Sequence, residues 1–463
     1  MLRIFRHYMS AGVLCLFACE TIMVAAILYA AANSIAPMHL QLSNYVGVIF
    51  VPAIANAMAM YALGLYQPRQ LADFWRSAPR LLALLCVTAP IVLISWNMSL
   101  LRSEPVDTQR LLTYVSWAAI LLACILLLRL SYVSLAKVAV APNRVLVVGV
   151  GKLAAEIEYL ISQRRDSDTE IVAYVPLTKT TPDVPAARVW QVTTSLLDIA
   201  RKTSAKEIVV ALDDRRGVPL GALLEARMEG MRITDYLSFW ERETRRVNLK
   251  ALDPSWLIYS DGFRVGSLMN TATKRLLDVL ASLSLLIVSL PTLILAAIAI
   301  KLDSPGPIFY KQERVGRYGV PFSIYKFRTM GVDAERNGVP QWASVRDTRI
   351  TRVGSFLRMT RIDELPQVIN VLRGDMSFVG PRPERAFFVE SLAREIPYYA
   401  ERHRVRPGIT GWAQINHPYG ASIEDAKTKL SYDLYYIKNY SFLFDLLIIL
   451  ATAHAVLVNK GAR

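Results

Sequence analysis

The pattern of apolar and polar positions divides the chain into a membrane-like N-terminal part, a mixed central part and a basic C-terminal part. Predominantly apolar stretches occupy residues 11–32, 45–66, 81–101 and 111–135. Because about 20 apolar residues in a helix cross the core of a bilayer, each stretch is long enough to span one. The pattern therefore predicts a bundle of four transmembrane helices within residues 1–140.

From residue 141 to residue 263 the pattern changes to short β-branched runs separated by amphipathic stretches. "NRVLVVGVGKLAAEI" predicts a strand, a glycine-rich turn and a helix, while "TEIVAYV" and "KEIVVALD" predict further strands. Alternation of strands and helices is typical of a parallel sheet. We therefore expect a doubly wound, Rossmann-like α/β domain.

A fifth apolar run, from Lys274 to Lys301 within the membrane helix predicted at residues 270–302, has cations at both ends, and a Lys- and Arg-rich segment follows it. Pro291 lies near its middle, next but one to Ser289, and a proline inside a helix removes a backbone hydrogen bond and bends it. A spanning helix would put the basic C-terminal chain on the opposite face, whereas a re-entrant helix kinked at Pro291 returns it. The re-entrant alternative is favoured. Residues 303–463 then form a domain at the membrane surface that ends in an interfacial helix, "FLFDLLIILATAHAVLV".

Charge supports a membrane location and gives an orientation. The net charge of +15 accompanies 53% hydrophobic residues, a combination that argues against a nucleic-acid-binding protein. Arg3 and Arg6 precede the first span, and three arginines lie between the second and third. The positive-inside rule therefore places the N-terminus and everything after residue 135 in the cytoplasm. The four cysteines lie in apolar runs without metal-site spacing, so neither a disulfide framework nor a zinc site is expected.

The central domain carries an incomplete nucleotide-binding motif. Gly149-Val150-Gly151 begins a turn close to the dinucleotide fingerprint, but the next strand ends "AYVPLTK" without the acid that binds ribose hydroxyls. No Tyr-x-x-x-Lys pair of a nucleotide-sugar dehydratase occurs. A structural or regulatory domain is favoured over a redox site. Asp166-Ser167-Asp168 matches the metal-binding DxD pattern, although a solvated turn is the favoured interpretation.

The C-terminal part concentrates cations around two adjacent acids, Asp363 and Glu364, in "RIDELPQ". Its arginines and lysines occur among glycine and proline, and the arginine fork suits phosphate. A solvated face or contact with anionic lipid is the alternative. Neighbouring arginines are expected to lower the pKa of the acids, so that one serves as nucleophile or metal ligand. A surface helix start with two solvated acids stays equally open.

Ordered motifs in this part resemble a known family. "KRLLD", "GPIFYKQERVG", "YKFRTM", "DELPQVINVLRGDMSFVGPRPE", "RPGITGWAQ" and "SYDLYYIKNYS" follow one another from Lys274 towards the C-terminus. The chain thereby resembles the bacterial sugar transferases, the polyprenyl-phosphate hexose-1-phosphate transferases of the monotopic phosphoglycosyl transferase type. The preceding helices resemble the long polytopic undecaprenyl-phosphate glucose or galactose phosphotransferases.

That resemblance implies a membrane enzyme with a two-step reaction that uses Mg²⁺. Asp363 would attack the sugar-linked phosphate of a UDP-hexose, release UMP, contribute a metal ligand and carry the phosphosugar until undecaprenyl phosphate accepts it. Glu364 would act as a base or shape the metal site. The family places the catalytic domain on the cytoplasmic face of the bacterial inner membrane, against its lipid, where it starts exopolysaccharide or O-antigen repeat units. The remaining implied phosphate ligands are Lys326, Arg328, Arg358 and Arg382.

Two departures from the family pattern limit what the resemblance implies. The family's helix break is a Ser-Pro pair, whereas Leu290 separates Ser289 from Pro291 here. Many family members continue "GWAQ" with "VNGR", whereas this chain has His417-Pro418 in that region, so contacts there are not transferred. The identity of the hexose, nucleotide binding by the central domain and homo-oligomerisation stay open. A membrane-tethered dehydratase and a non-enzymatic assembly scaffold are the rival interpretations.

Overall fold

The computed structural model forms two compact units, Met1–Leu126 with Asp253–Arg463, and Leu127–Leu252. The residues that the structure describes are 2–4, 7–9, 11–35, 49–63, 65–66, 80–81, 84, 88, 92, 108–139, 142–163, 169–177, 182–190, 195–214, 217–263, 268–332, 334, 349–417, 420 and 422–457.

The N-terminal part of the chain is helical after a short antiparallel hairpin. The elements are β1 (Leu2–Ile4), β2 (His7–Met9), α1 (Ala11–Ile35), α2 (Val51–Ala62) and α3 (Thr108–Ala139). Three described helical segments are long and apolar enough to cross a membrane, namely Gly12–Asn33, Val115–Tyr132 and Thr271–Asp303. The first two coincide with the first and fourth predicted spans. The described helix in the second span has only 12 residues, and the third span lies almost entirely outside the described residues.

The second unit contains a four-stranded parallel sheet. Its elements are β3 (Asn143–Val148), α4 (Lys152–Ser162), β4 (Thr169–Val175), a 3₁₀ turn (Ala186–Arg188), α5 (Leu196–Lys202), β5 (Glu207–Val210), α6 (Leu220–Met228), β6 (Arg232–Asp235) and α7 (Tyr236–Thr244). The strands lie in the order β4-β3-β5-β6. Val148, Val175 and Ile208 pack against α5 and α6 in a buried cluster. The prediction of an α/β unit with parallel strands is confirmed at this level.

The glycine-rich turn after β3 is filled by a side chain of the same unit. The Asp213 carboxylate, just after β5, accepts hydrogen bonds from the backbone N–H groups of Lys152 and Leu153 at 2.9 and 3.0 Å. A Cβ at Gly151 would lie 1.9 Å from an Asp213 oxygen, so glycine is required for this approach. In doubly wound sheets a ligand phosphate binds at this helix N-terminus. The Asp166-Ser167-Asp168 segment lies outside the described residues.

The C-terminal part of the first unit packs two small sheets among helices. Its elements are α8 (Pro254–Tyr259), α9 (Leu268–Asp303), β7 (Phe309–Val315), a 3₁₀ turn (Arg317–Gly319), β8 (Pro321–Phe327), α10 (Arg352–Met359), a 3₁₀ segment (Ile362–Gln367), α11 (Val368–Arg373), β9 (Ser377–Val379), α12 (Ala386–Glu395), a 3₁₀ segment (Tyr399–Arg404), β10 (Gly408–Thr410), α13 (Trp412–Asn416), α14 (Ile423–Lys438) and α15 (Phe442–Leu457). Strands β7 and β8 pair antiparallel, whereas β9 and β10 pair parallel.

Helix α9 contains Pro291 and contacts the rest of its unit near both ends. At the beginning, Arg275 donates to the carbonyl groups of Val371 and Leu372 at 2.5 and 2.6 Å. Near the end, Ala296 and Ile300 pack in a cluster with residues of β8 and α10. The intervening turns carry exposed apolar side chains, among them Leu283, Ile287, Val288, Leu290 and Leu295. Ser289 donates to the Leu285 carbonyl at 2.6 Å, one turn before.

The apolar stretch at the C-terminus forms α15, which packs into the unit on one side. Phe444 and Ile448 are fully buried, and the Phe444 ring meets Trp412 and Tyr435 at centroid distances of 5.1 and 5.9 Å. Phe442 and Val456 stay exposed. The helix therefore contributes to the core of the unit as well as offering an apolar outer side.

Candidate active site

Asp363 and Glu364 lie in a tight turn between two helices. Thr351 caps α10 by accepting from the Gly354 N–H at 3.0 Å, and the helix ends just before Arg361, whose φ is 60°. This left-handed backbone at a non-glycine residue reverses the chain, at a cost of about 1–3 kcal/mol that the surrounding fold must supply. The 3₁₀ segment that follows carries both acids, and Asp363 is only 8% exposed. The acids are therefore held in the fold and are not the solvated surface pair of the alternative interpretation.

The Glu364 carboxylate is bound by two cations from different elements. Lys326 of β8 donates to Glu364 Oε1 at 2.8 Å, and Arg382, which follows β9, donates to both carboxylate oxygens. Burial alone would raise the pKa of Glu364, but Arg382 and Lys326 outweigh it and hold the pKa well below its usual range. Glu364 is thus a fixed anion in a three-residue ion cluster.

Asp363 has the opposite environment. Among the residues that the structure describes, its carboxylate forms no hydrogen bond or ion pair. Burial, and next the charge of Glu364, raise the pKa of Asp363 to about 6, while Lys326, Arg382 and Arg358 oppose the rise. The arginines do lower the pKa of this acid, as expected, but burial and the charge of Glu364 outweigh them, so the expected net decrease is wrong for Asp363. A pKa of about 6 still leaves about nine-tenths of the carboxylate ionised at pH 7.

Asn370 holds β8 against the helical segment that carries the acids. Its side-chain oxygen accepts from the Tyr325 N–H at 3.0 Å, and its amide donates to the Ser323 carbonyl at 2.8 Å. The fully buried amide thus replaces a neighbouring strand at the edge of β8. Because Lys326 follows Tyr325, this contact sets the position of the lysine opposite Glu364. Sequence analysis did not single out Asn370; a lone amide in the apolar run "VINVL" was the available signal.

The predicted phosphate ligands separate into two groups. Arg358, half-buried at the end of α10, contributes to the electrostatic surroundings of Asp363 and forms no ion pair with a described residue. Arg328 is 6% exposed, and its guanidinium donates to Ser304 and Pro305 carbonyls and to the Ser304 hydroxyl at 2.7–2.9 Å. Lys326, Arg358 and Arg382 therefore surround the two acids, whereas Arg328 fixes the chain after α9.

The donor set around Asp363 limits how a metal ion can bind. No group of three or more His, Cys, Asp or Glu side chains suited to a metal occurs among the described residues. Glu364 is occupied by Lys326 and Arg382, so Asp363 is the one free carboxylate of the pair. Mg²⁺ commonly binds through one or two carboxylates together with substrate phosphates. The residues fit a Mg²⁺ ion whose remaining ligands come from a diphosphate substrate.

The segment that departs from the family pattern is partly described. His417 is hydrogen-bonded to Asp425 at 3.0 Å, and Asp425 also forms a reciprocal cap with Ser422 at the start of α14. These contacts, with the Ser422 hydroxyl first, lower the pKa of Asp425 to about 2. Pro418 lies outside the described residues. His417 thus has a structural partner at the beginning of α14.

Known proteins are similar to the C-terminal part of the first unit, which contains the site. A family model described as bacterial sugar transferase matches residues 269–459. The UDP-N-acetylgalactosamine-undecaprenyl-phosphate N-acetylgalactosaminephosphotransferase of Aeromonas hydrophila is 49% identical over 190 residues, 41% of this chain and 45% of that protein. The UDP-glucose:undecaprenyl-phosphate glucose-1-phosphate transferase of Escherichia coli (strain K12) is 46% identical over 197 residues, 42% of each chain.

A shorter relative is matched over nearly its full length. The exopolysaccharide production protein PSS of Rhizobium leguminosarum bv. phaseoli is 43% identical over 193 residues, which make up 40% of this chain and 94% of that protein. By contrast, the matches to the Aeromonas and Escherichia proteins cover less than half of their lengths. The chain belongs to the bacterial sugar transferase family.

Proposed function

We propose that this protein transfers a hexose 1-phosphate from a UDP-sugar to undecaprenyl phosphate and so starts exopolysaccharide or O-antigen repeat units. The relatives' names describe transfer of glucose 1-phosphate or of an N-acetylgalactosamine phosphate to undecaprenyl phosphate. The observation that carries the proposal is the division of labour between adjacent acids: Glu364 is bound by two cations, while Asp363 is buried and unpaired among the described residues.

In the first step the Asp363 carboxylate attacks the sugar-linked phosphorus of the UDP-sugar. A bond forms between a carboxylate oxygen and phosphorus, the diphosphate bridge breaks on the side of that phosphorus, and UMP leaves with the bridging oxygen. In the second step an oxygen of undecaprenyl phosphate attacks the same phosphorus and regenerates the carboxylate. A covalent intermediate lets two anionic substrates use one small site in turn.

The cations give this site its affinity for phosphates. Arg358 has no ion pair with a described residue, so its planar fork is available to a phosphate. Lys326 and Arg382 remain next to the acids because Glu364 holds them, and charge fixed before the substrate arrives stabilises the transition state without reorganisation. Mg²⁺, held by Asp363 and the diphosphate, would further neutralise the charge that develops on the leaving UMP.

We also propose that α9 is re-entrant and seats the catalytic domain on the cytoplasmic face of the bacterial inner membrane. In a straight helix, Arg275 and Ala296 would be about 32 Å apart. Their contacts are Val371 and a cluster that includes Ile362, and these two residues are only nine positions apart in one helical segment, about 14–18 Å. A bend at Pro291 would bring Arg275 and Ala296 close enough to make both contacts. It would also leave the exposed apolar middle of the helix facing lipid.

The rival dehydratase requires a nucleotide in the second unit. Its glycine-rich turn binds the Asp213 carboxylate where a phosphate would lie, and the ribose acid and the Tyr-x-x-x-Lys pair are missing from the sequence. These observations favour a structural or regulatory role for that unit.

The test is UMP release from a panel of UDP-sugars by the full-length protein in membranes, with and without undecaprenyl phosphate. We expect one or a few UDP-sugars to yield UMP, and Asp363→Asn to abolish it while the protein stays folded. An assembly scaffold would release no UMP in either form, and unchanged release by the Asn variant would remove Asp363 from the mechanism.

A further inference from the structure

The turn that carries Arg382 is held at four consecutive carbonyl groups. Each carbonyl of residues 381–384 accepts a hydrogen bond of 2.9–3.1 Å: from the Gly408 N–H to Pro381, from the Arg402 guanidinium to Arg382, from the Arg314 guanidinium to Pro383 and from the Val315 N–H to Glu384. Such complete pairing is unusual for a loop, whose carbonyls normally face water. The backbone of this turn is therefore fixed by hydrogen bonds to other parts of the unit.

Of these four hydrogen bonds, the one from Arg402 reaches the backbone of Arg382 itself. Its side chain is buried, 5% exposed; Nε donates to Asp433 Oδ2 at 3.1 Å, and Nη2 lies 2.9 Å from the same oxygen in the ion pair. It also donates from Nη1 to the Tyr399 hydroxyl and from Nη2 to the Arg382 carbonyl, both at 3.0 Å. Asp433, on α14, is 2% exposed. The guanidinium thus links α14 and the segment before β10 to the backbone of a residue at the site.

The buried pair has a cost that stability alone does not explain. Removing two charges from water is so unfavourable that a protein in which apolar side chains replace a buried ion pair is often as stable as the original. Here the guanidinium also donates to the carbonyl of Arg382, and the side chain of Arg382 binds Glu364. A lysine in this place has no planar fork and cannot serve the carboxylate, the hydroxyl and the carbonyl together. Residue 402 must therefore be an arginine if one side chain is to contact Asp433, Tyr399 and the Arg382 carbonyl.

We propose that Arg402 and Asp433 are positioning residues that fix the Arg382 backbone, and thereby the placement of its side chain on Glu364 and on substrate phosphate. This inference rests on the function proposed above. Neither residue touches a reacting atom. Both act through the turn at residues 381–384, which presents one cation from a fixed backbone.

The test is Arg402→Lys in the full-length protein, assayed by kcat/KM for UMP release as a function of pH. We expect kcat/KM to fall about tenfold at pH 7. Arg382 lowers the pKa of Asp363, so that pKa should rise when Arg382 is displaced. The pH below which kcat/KM falls, the acid limb of the profile, should therefore move to higher pH. A role confined to folding would lower the amount of active protein and leave the position of the limb unchanged.

A matched control is Arg242→Lys in the other unit. Arg242 is 6% exposed and pairs with the buried Glu207 at 2.7 Å, so the same substitution breaks a similar buried pair away from the Arg382 turn. We expect this variant to keep the wild-type pH profile.

Coupling between the two arginines decides the inference. In an Arg382→Lys background, Arg402→Lys should have little further effect on kcat/KM, because the guanidinium that Arg402 positions is no longer present. Additive losses, or an acid limb that stays in place, would overturn the positioning role. If Arg402→Lys does not accumulate as folded protein, Asp433→Asn takes its place with the same expectations. Failure of the proposed function is distinguishable, because wild-type protein would then release no UMP at all.

Discussion

At the residue scale, two neighbouring carboxylates owe their different properties to their partners. Lys326 and Arg382 bind Glu364 and hold its pKa low, whereas burial and the charge of Glu364 raise that of Asp363 to about 6. Environments that push apart the pKa values of paired acids are how enzymes assign them different roles. The same arrangement keeps Asp363 mostly ionised near neutral pH, as the proposed role of nucleophile requires.

Glu364→Gln should move the pH dependence of UMP release. The glutamate charge raises the pKa of Asp363, so its removal lowers that pKa and shifts the acid limb of kcat/KM down by about one pH unit. The sign follows because the proposed nucleophile Asp363 would react in its ionised form, so activity is expected above its pKa and lost below it. Single-turnover UMP release between about pH 4.5 and 8 measures the shift. A limb that stays in place or moves up would contradict the assignment.

Arg358 and Arg328 should respond differently to the same substitution. Arg358→Lys should lower kcat/KM by about 10-fold or more, with little change in thermal midpoint, since no described side chain depends on it. Arg328→Lys should instead lower the free energy of unfolding by about 1.5–3 kcal/mol, because its guanidinium holds the Ser304 and Pro305 carbonyls. Thermal unfolding in detergent and UMP release, measured on both variants, separate the roles; equal behaviour would refute the separation.

Sequence reasoning identified the acids and their cationic neighbours but not how they pair. The distance along the chain from Glu364 to Lys326 is 38 residues, so the pairing depends on how β8 packs against the 3₁₀ segment. Burial of Asp363 likewise depends on tertiary packing. A resemblance in motif order places residues in one site, and it does not say which carboxylate each cation binds.

At the scale of elements, α9 is the feature whose sequence pattern was most informative. Its apolar length and Pro291 were visible in the sequence, and a helix of 36 residues is present. The contact of both ends with one unit depends on pairs far apart in the chain, such as Arg275 with Val371. The Asp213 contact at the glycine-rich turn was invisible for the same reason, because Asp213 is 61 residues from Lys152.

The re-entrant proposal predicts the same accessibility at both ends of α9. Single cysteines at Thr271 and Leu302, introduced after replacement of the native cysteines, should both react with an impermeant maleimide only when the cytoplasmic face is exposed. The reason is that a helix bent at Pro291 returns to the face from which it entered. In inverted and right-side-out vesicles, labelling of the two positions from opposite faces would establish a spanning helix instead.

At the scale of the whole molecule, the site is contained in the C-terminal part of the first unit. A segment making up 40% of this chain matches 94% of the Rhizobium relative, and the acids and the cations around them lie between residues 326 and 382. A chain of residues 253–463 should therefore retain UMP release in membranes with an unchanged pH profile. Complete loss of release by a folded, membrane-bound truncation would show that the preceding residues belong to the catalytic machinery.

The central claim is that Asp363 carries the phosphosugar. The most direct measurement is mass spectrometry of the full-length protein after incubation with its UDP-sugar in the absence of undecaprenyl phosphate. We expect one hexose-phosphate adduct on the peptide that contains Asp363, which disappears when undecaprenyl phosphate is added and never forms in Asp363→Asn. An adduct on another residue, or turnover by the wild-type protein with no adduct under conditions that trap an acyl phosphate, would contradict the account.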